Sequence, residues 1–374
     1  MVKGFIYKGV ALSTLLLFSA CGGDNAYDGK NGLIGGSSVA SETSKNVIAS
    51  IQKNVLLVDA EQLLADANDF ETKLQAFDIN VSVEKLDNLK DAFEAMMKSW
   101  KSVQSTYVIK DFDKDLYDNP QLMDFYRTGK KLDVASDLDR ALSRDNAIIN
   151  YMRKSSNVSI TGLEYLIYGH RTSSADMISL MNLKSKRRIE AMKLVIANLK
   201  SLIEPIVEFY KTDTKLVSDV KEASNSLVNV LIDVTYRLRE FRVGEPAGLV
   251  VKFKDEPNPE RFEYYKSGLS TEAIKSILEA QSKIMGSQGY SNFGTLATSN
   301  GASAVVTKIN GLIAEAMSIV NGFDKPIEEY VTTTGYDPKI KKLYDLLTEL
   351  QSVYYESLIE ALSLTAKIIE ADGD

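Results

Sequence analysis

Apolar residues recur every three or four positions through nearly all of the chain from Lys45 onward, a spacing that lines one face of a helix. Leu56, Ala60, Leu63, Ala67, Phe70, Leu74 and Phe77 form one such stripe. Leu86, Leu89, Phe93, Met96, Trp100, Val103 and Tyr107 form a second. Strand-like alternation is weak throughout. Only 7 prolines interrupt 374 residues, and the segments between them are rich in good helix formers. Further helices are expected over 120–153 with an internal break, and over 186–210 with a kink or interruption near Pro205. Another is expected over 216–241, with Gly244 and Pro246 supplying its end. The last three are expected over 270–284, 303–320 and 338–370. A chain of this length is long for a single core. The expected fold class is all-α, with two four-helix-bundle-like halves, 45–212 and 213–374, meeting at the polar stretch YKTDTK. No residue-level repeat relates the halves.

The N-terminus reads as an address. Lys3 and Lys8 form a basic start, and Val10 to Phe18 form an apolar stretch too short to span a bilayer. Ser19 and Ala20 then precede Cys21, the only cysteine. This is the pattern of a bacterial lipoprotein signal over residues 1–20, with Cys21 lipidated after cleavage; the alternative is an ordinary secretory signal and a chance cysteine. Each acyl methylene buried in a membrane adds roughly 0.8 kcal/mol, so several chains anchor durably. By resemblance to Gram-negative sorting rules, Gly22 after the cysteine favours the outer membrane. Residues 21–44 are rich in Gly, Ser and Asn and read as a flexible tether. The net charge is −7 with no long basic run, which argues against nucleic-acid binding.

Candidate chemistry concentrates in three places. The stretch SITGLEYLIYGH (Ser159 to His170) sets Glu164 beside an apolar helix face made by Ile160, Leu163 and Ile167. A carboxylate there needs a partner, either an Arg, Lys or Tyr hydroxyl in a structural role, or a metal or substrate in a functional one. His170, the only histidine, falls just past the expected helix end, where it reads as a carbonyl cap or a solvated side chain. FRVGEPAGL (Phe241 to Leu249) and RFEYYKSGLS (Arg261 to Ser270) contribute Arg242, Glu245, Glu263 and Lys266 at helix ends, with Ser270 as the expected N-cap of the next helix. Asp111, Asp113 and Asp115 lack the glycine and the bidentate glutamate of a calcium loop and read as a solvated acidic loop. KSKRR (Lys184 to Arg188) reads as a solvated helix start. The chain has no H-E-x-x-H, no P-loop and no cysteine ligand pair.

Together GLEYLIYG (Gly162 to Gly169), RVGEPAGL (Arg242 to Leu249), FEYYKSGLS (Phe262 to Ser270), the terminal DGD (Asp372 to Asp374) and AMMKSWKSVQSTY (Ala95 to Tyr107) resemble the imelysin family. That resemblance runs from about residue 45 to the end. It implies two helical bundles with a site between them, extracytoplasmic placement and frequent links to iron or haem uptake, in a family filed among metallopeptidases. The family signature is GxHxxE. With its Glu on Glu164, the His position falls on Thr161 and the Gly position on Ser159, so the acid is kept and the imidazole is absent. Threonine is a poor ligand for a borderline-soft ion such as zinc. The resulting candidates for holding a metal or polar ligand are Glu164, Glu245 and Glu263, with Ser159, Thr161, Tyr165, Arg242 and Lys266 as neighbours and no catalytic residue assigned. A divalent cation or iron is the open cofactor. The expected partners are a membrane through the lipid on Cys21, and iron, haem or an envelope protein. The expectation is a non-enzymatic, lipid-anchored envelope protein tied to iron or haem acquisition. The alternatives are a metallopeptidase with carboxylate metal ligands, or a structural or surface-interaction module.

Overall fold

A computed structural model describes residues 38–126 and 134–366. Cys21, the signal, most of the tether and the terminal DGD lie outside these residues. The structure is all-α. Helix α1 (Ser38–Ile51) runs through a π-helical turn (Gln52–Leu56) into α2 (Leu57–Ile79), followed by α3 (Val83–Ser105). Ser82 starts α3 by accepting the Lys85 amide, as an N-cap serine does. Short helices α4 (Asn119–Met123), α5 (Val134–Ser143), α6 (Ile160–Tyr168) and α7 (Ser174–Asn182) lead to the long α8 (Arg187–Thr212). The α2 stripe is fully buried, with α3 and α8 packed on α2, and α6 on α8.

Beyond Asp213 come α9 (Lys215–Ser218), α10 (Val220–Arg237), α11 (Glu245–Ala247), α12 (Ser270–Met285), α13 (Phe293–Ser299) and α14 (Ser303–Asn321). A two-residue antiparallel ladder pairs β1 (Val331–Thr332) with β2 (Gly335–Tyr336), Val331 opposite Tyr336. Helices α15 (Pro338–Ser352) and α16 (Ile359–Leu362) finish the described chain, joined by a π-helical turn (Val353–Leu358). Here α14 packs on α12 and α15, and α10 on α15. The most extensive contact between the two groups is α3 against α12, with α1 also packed on α9, α10 and α13.

Several elements depart from expectation. Helix α1 begins at Ser38, so its first turns take in residues read as tether. Pro205 does not interrupt α8; Ile203, Ile206 and Phe209 bury the same face on both sides of it, and packing overrides the local break. Among the described residues of 120–153, α4 and α5 are followed by a single 3₁₀ turn (Ile148–Asn150) rather than by a continuing helix. The last helix stops at Ser363, which adopts a left-handed conformation, rather than running to 370. Arg187 and Arg188 are buried rather than solvated: Arg187 holds the carbonyls of Ala141 and Asn146, and Arg188 those of Tyr165 and Leu166 at the end of α6.

Gly244 does not end its helix. The chain passes from α10 through a π-helical turn (Leu238–Gly244) into α11 and stops at Gly248, whose φ of 69° is the left-handed cap. Gly244 is instead a packing position. A Cβ there would lie 2.6 Å from Val250 Cγ1 and 2.8 Å from a Tyr344 ring carbon. Gly244→Ala is therefore expected to destabilise the fold by about 1–3 kcal/mol through overpacking, read as a lower urea midpoint with an unchanged slope.

Candidate functional site

A buried ion network near the end of α3 links the first group of helices to the second. Lys101 lies on the inward face of α3, directly after Trp100, and its side chain is 0% exposed. Its ammonium donates to Asp124 Oδ2 at 2.6 Å, Glu263 Oε1 at 2.6 Å and Gln104 Oε1 at 3.0 Å. Those three acceptors use all three of its protons. Glu263 is also clasped by Arg242, with Nε on Oε2 at 2.6 Å and Nη2 on Oε1 at 3.0 Å, the two-pronged fit of guanidinium to carboxylate. The π-helical turn carries Arg242 to this point. Two cations and two anions thus balance inside the protein.

Asp124 is the hub on the α4 side. Its Oδ2 also receives the Trp100 indole at 3.2 Å and the Tyr264 hydroxyl at 3.4 Å. Its Oδ1 receives the Tyr126 amide at 3.0 Å and the Thr161 hydroxyl at 3.2 Å. Burial alone would raise this carboxyl, but Lys101, the Tyr126 amide and Arg242 outweigh it and hold it down at about 2. Thr161 stands where the GxHxxE alignment puts histidine, and it points at a carboxylate that Lys101 has already neutralised.

Glu164 sits one turn further along α6 and is 3% exposed. Ser159 caps that helix, accepting the Gly162 amide at 3.2 Å. The loop from Tyr264 to Ser270 curls so that the Ser267 amide and hydroxyl both donate to Glu164 Oε1, at 2.9 and 2.8 Å. The partner is thus a serine, not the Arg, Lys or Tyr that the sequence suggested. Among the described residues no hydrogen bond to Glu164 Oε2 is found. Burial pushes the carboxyl up to about 7; Ser267 and Lys266 oppose that shift, and Glu328 adds to it. Glu328 is also buried, and its Oε1 accepts the Ser270 amide at 3.1 Å. Ser270 is not the expected N-cap: it lies inside α12, after Leu269, and its hydroxyl accepts the Tyr264 amide at 3.1 Å.

The remaining candidates scatter. Glu245 is buried on α11, where its main-chain carbonyl faces Arg261 Nη1 at 3.5 Å. Lys266 stacks over the Tyr165 ring at 5.4 Å. Of the two readings of His170, the solvated one holds: its side chain is mostly exposed and turns back to the Tyr165 hydroxyl rather than to a carbonyl. Among the described residues no three His, Cys, Asp or Glu side chains are grouped to hold a metal, so Glu164, Glu245 and Glu263 do not form one site. Sequence reasoning missed Lys101, Asp124, Tyr126 and Ser267. The available signal was Lys101 itself, a charge at an inward-facing position, four residues after Met97.

An imelysin sequence profile matches residues 57–354, and the chain belongs to the imelysin family. No curated protein matches it. Among solved structures it resembles an imelysin-like protein from Psychrobacter arcticum 273-4, at a TM-score of 0.69 and 15% identity, covering 88% of this chain and 98% of that one. It also resembles a protein from Parabacteroides distasonis ATCC 8503 assigned as an iron-regulated protein A precursor, at a TM-score of 0.64 and 15% identity, covering 86% and 95%. These likenesses establish a shared fold.

The residues around Thr161 do not fit a resident zinc ion. Both Glu263 oxygens are committed to Lys101 and Arg242, Asp124 already carries five donors, and Thr161 offers a neutral hydroxyl. The Glu164 carboxyl has a folded value above its unfolded one. Its contribution to stability is therefore fully present below about pH 4.5 and lost as pH rises through about 7. Glu164→Gln keeps the Ser267 contact and removes the titration. The variant is expected to lose the Glu164 share of the fall in unfolding free energy between pH 5 and 7.5, a difference of about 2 kcal/mol from wild type across that window, measured by urea denaturation at each pH.

Proposed function

We propose that this imelysin-family protein is a non-enzymatic binding protein, lipid-anchored in the bacterial envelope and associated with iron or haem acquisition. The observation that carries the non-enzymatic part is the closed Lys101–Asp124–Glu263–Arg242 network. Asp124, which the Thr161 hydroxyl contacts, and Glu263 beyond it are neutralised by the chain's own cations. A metal-assisted hydrolase needs an open coordination position and an activated water, and this donor set supplies neither. The anchoring part is supported by the Lys3 to Cys21 pattern, and outer-membrane sorting by Gly22. The iron association is supported by the family resemblance and by the iron-regulated naming of the Parabacteroides protein.

A metallopeptidase is favoured by one feature only, the Glu164 carboxyl with a single oxygen engaged by Ser267. The two readings separate in one comparison on purified full-length protein in detergent. Unfolded protein substrate is offered with and without chelator, and binding of haem and of ferric iron is measured on the same sample. The expected result is no chelator-sensitive cleavage together with stoichiometric uptake of haem or iron. Cleavage abolished by chelator and by Glu164→Gln would overturn the proposal. Mass spectrometry showing Cys21 without acyl chains would remove the anchor.

A further inference from the structure

The only histidine in the sequence does not stand alone. Helix α6 ends at Gly169, whose φ of 60° and ψ of −134° turn the chain sharply back. A Cβ at Gly169 would lie 2.8 Å from Thr172 Oγ1, so the turn is closed tightly behind it. The next-but-one residue, Arg171, is also left-handed at φ 61°. Glycine takes such a conformation freely, but Arg171 carries a cost that the fold sustains there. The turn brings His170 over Tyr165, edge to face with 5.2 Å between ring centroids, and sets Nε2 3.2 Å from the Tyr165 hydroxyl.

A third group arrives from a different element. Asp139, on α5, accepts a hydrogen bond from the Tyr165 hydroxyl through Oδ1, and its Oδ2 lies 3.5 Å from His170 Nε2. A carboxylate, a phenol and an imidazole, from α5, α6 and the turn after α6, therefore meet at one point. Two neighbouring ligands of an octahedral ion with bonds of about 2.1 Å sit about 3 Å apart. His170 Nε2, at 3.2 Å from the Tyr165 hydroxyl and 3.5 Å from Asp139 Oδ2, lies near that spacing; the Tyr165–Asp139 hydrogen bond is shorter, and its two oxygens must draw apart as the cation replaces the proton between them. The Tyr165 ring is buried, while His170 and Asp139 are 67% and 50% exposed, so the open side of the triangle faces solvent.

We propose that Asp139, Tyr165 and His170 form one face of a ferric-iron site. The donor chemistry selects the ion: two hard oxygens, one of them a phenolate, with a borderline nitrogen suit a small, highly charged cation rather than calcium or a thiolate-seeking metal. Three ligands on one face leave the remaining positions to water or a small anion. Binding exchanges the phenolic proton for the metal, and the proton leaves to solvent. Burial and the Asp139 contact hold the free phenol above its usual range, so the proton departs only when the cation replaces it. The Arg188 guanidinium and the Lys266 ammonium lie 5.4 Å from the ring centroid and favour the phenolate that results. The site lies apart from the Lys101 network and does not use Glu164. For the choice of ion it rests on the iron association proposed above.

The test adds ferric nitrilotriacetate to full-length protein in detergent and follows the visible absorption of an iron–phenolate bond. Wild type is expected to gain that band at one iron per chain. Tyr165→Phe is expected to abolish it, and His170→Ala and Asp139→Asn to weaken iron binding at least about tenfold each. The last two side chains are exposed, and their variants are expected to keep the wild-type Tm. No band in wild type, or a band that survives Tyr165→Phe, overturns the site. Haem titrated in parallel separates the two proposals: stoichiometric haem uptake without the band leaves the functional reading standing and removes this one.

Discussion

An ammonium with no access to water holds the middle of this molecule. Lys101 is tolerated inside the protein only because Asp124, Glu263 and Gln104 take its three protons, since an isolated charge in such an interior costs several kcal/mol or more. The arrangement is equally demanding in reverse. Asp124 and Glu263 would repel one another without the cation between them, and Arg242 alone could not balance both. The network also dictates geometry. Its members come from α3, the end of α4, the π-helical turn after α10 and the segment before α12, so those elements must reach their final places together. This explains why a chain whose helices could pack by apolar stripes alone keeps an irregular turn at Leu238–Gly244.

The same balance changes the meaning of the altered family signature. A histidine at position 161 would offer an imidazole toward Asp124; threonine offers a hydroxyl, and the local charge is supplied by lysine instead. Glu164, three residues on, belongs to a separate environment built by Ser267, Lys266 and Glu328. The two carboxylates on either side of Thr161 therefore behave oppositely. Asp124 is held charged by cations, and Glu164 is driven toward its neutral form by burial.

Much of the architecture was legible in the residues. The stripes through Leu63 and Phe77 and through Leu86 and Val103 became α2 and α3, and Ser270 to Ile284 and Ser303 to Val320 became α12 and α14 almost to the residue. The burial of Glu164 followed from its apolar neighbours. The helix ends were harder, because Gly244 and Gly248 are the same residue to a local reading. Only the packing against Val250 and Tyr344 separates a spacer from a cap. Arg187 and Arg188 looked solvated because their acceptors are backbone carbonyls of α5, α6 and a neighbouring loop, which no sequence pattern displays. Lys101 was hidden by its neighbour: Trp100 explains the stripe, and a lysine beside it passes for surface unless the next turn is counted.

The account rests on Lys101 acting as the internal counter-charge of the Asp124 carboxylate. A double-mutant cycle on unfolding free energy tests this directly, with Lys101→Met, Asp124→Asn and the pair. Each single change strands a charge and is predicted to cost about 3–5 kcal/mol. The pair restores neutrality beside the intact Arg242–Glu263 fork, and is predicted to cost less than the sum of the two by about 2 kcal/mol or more. Losses that simply add would contradict the account.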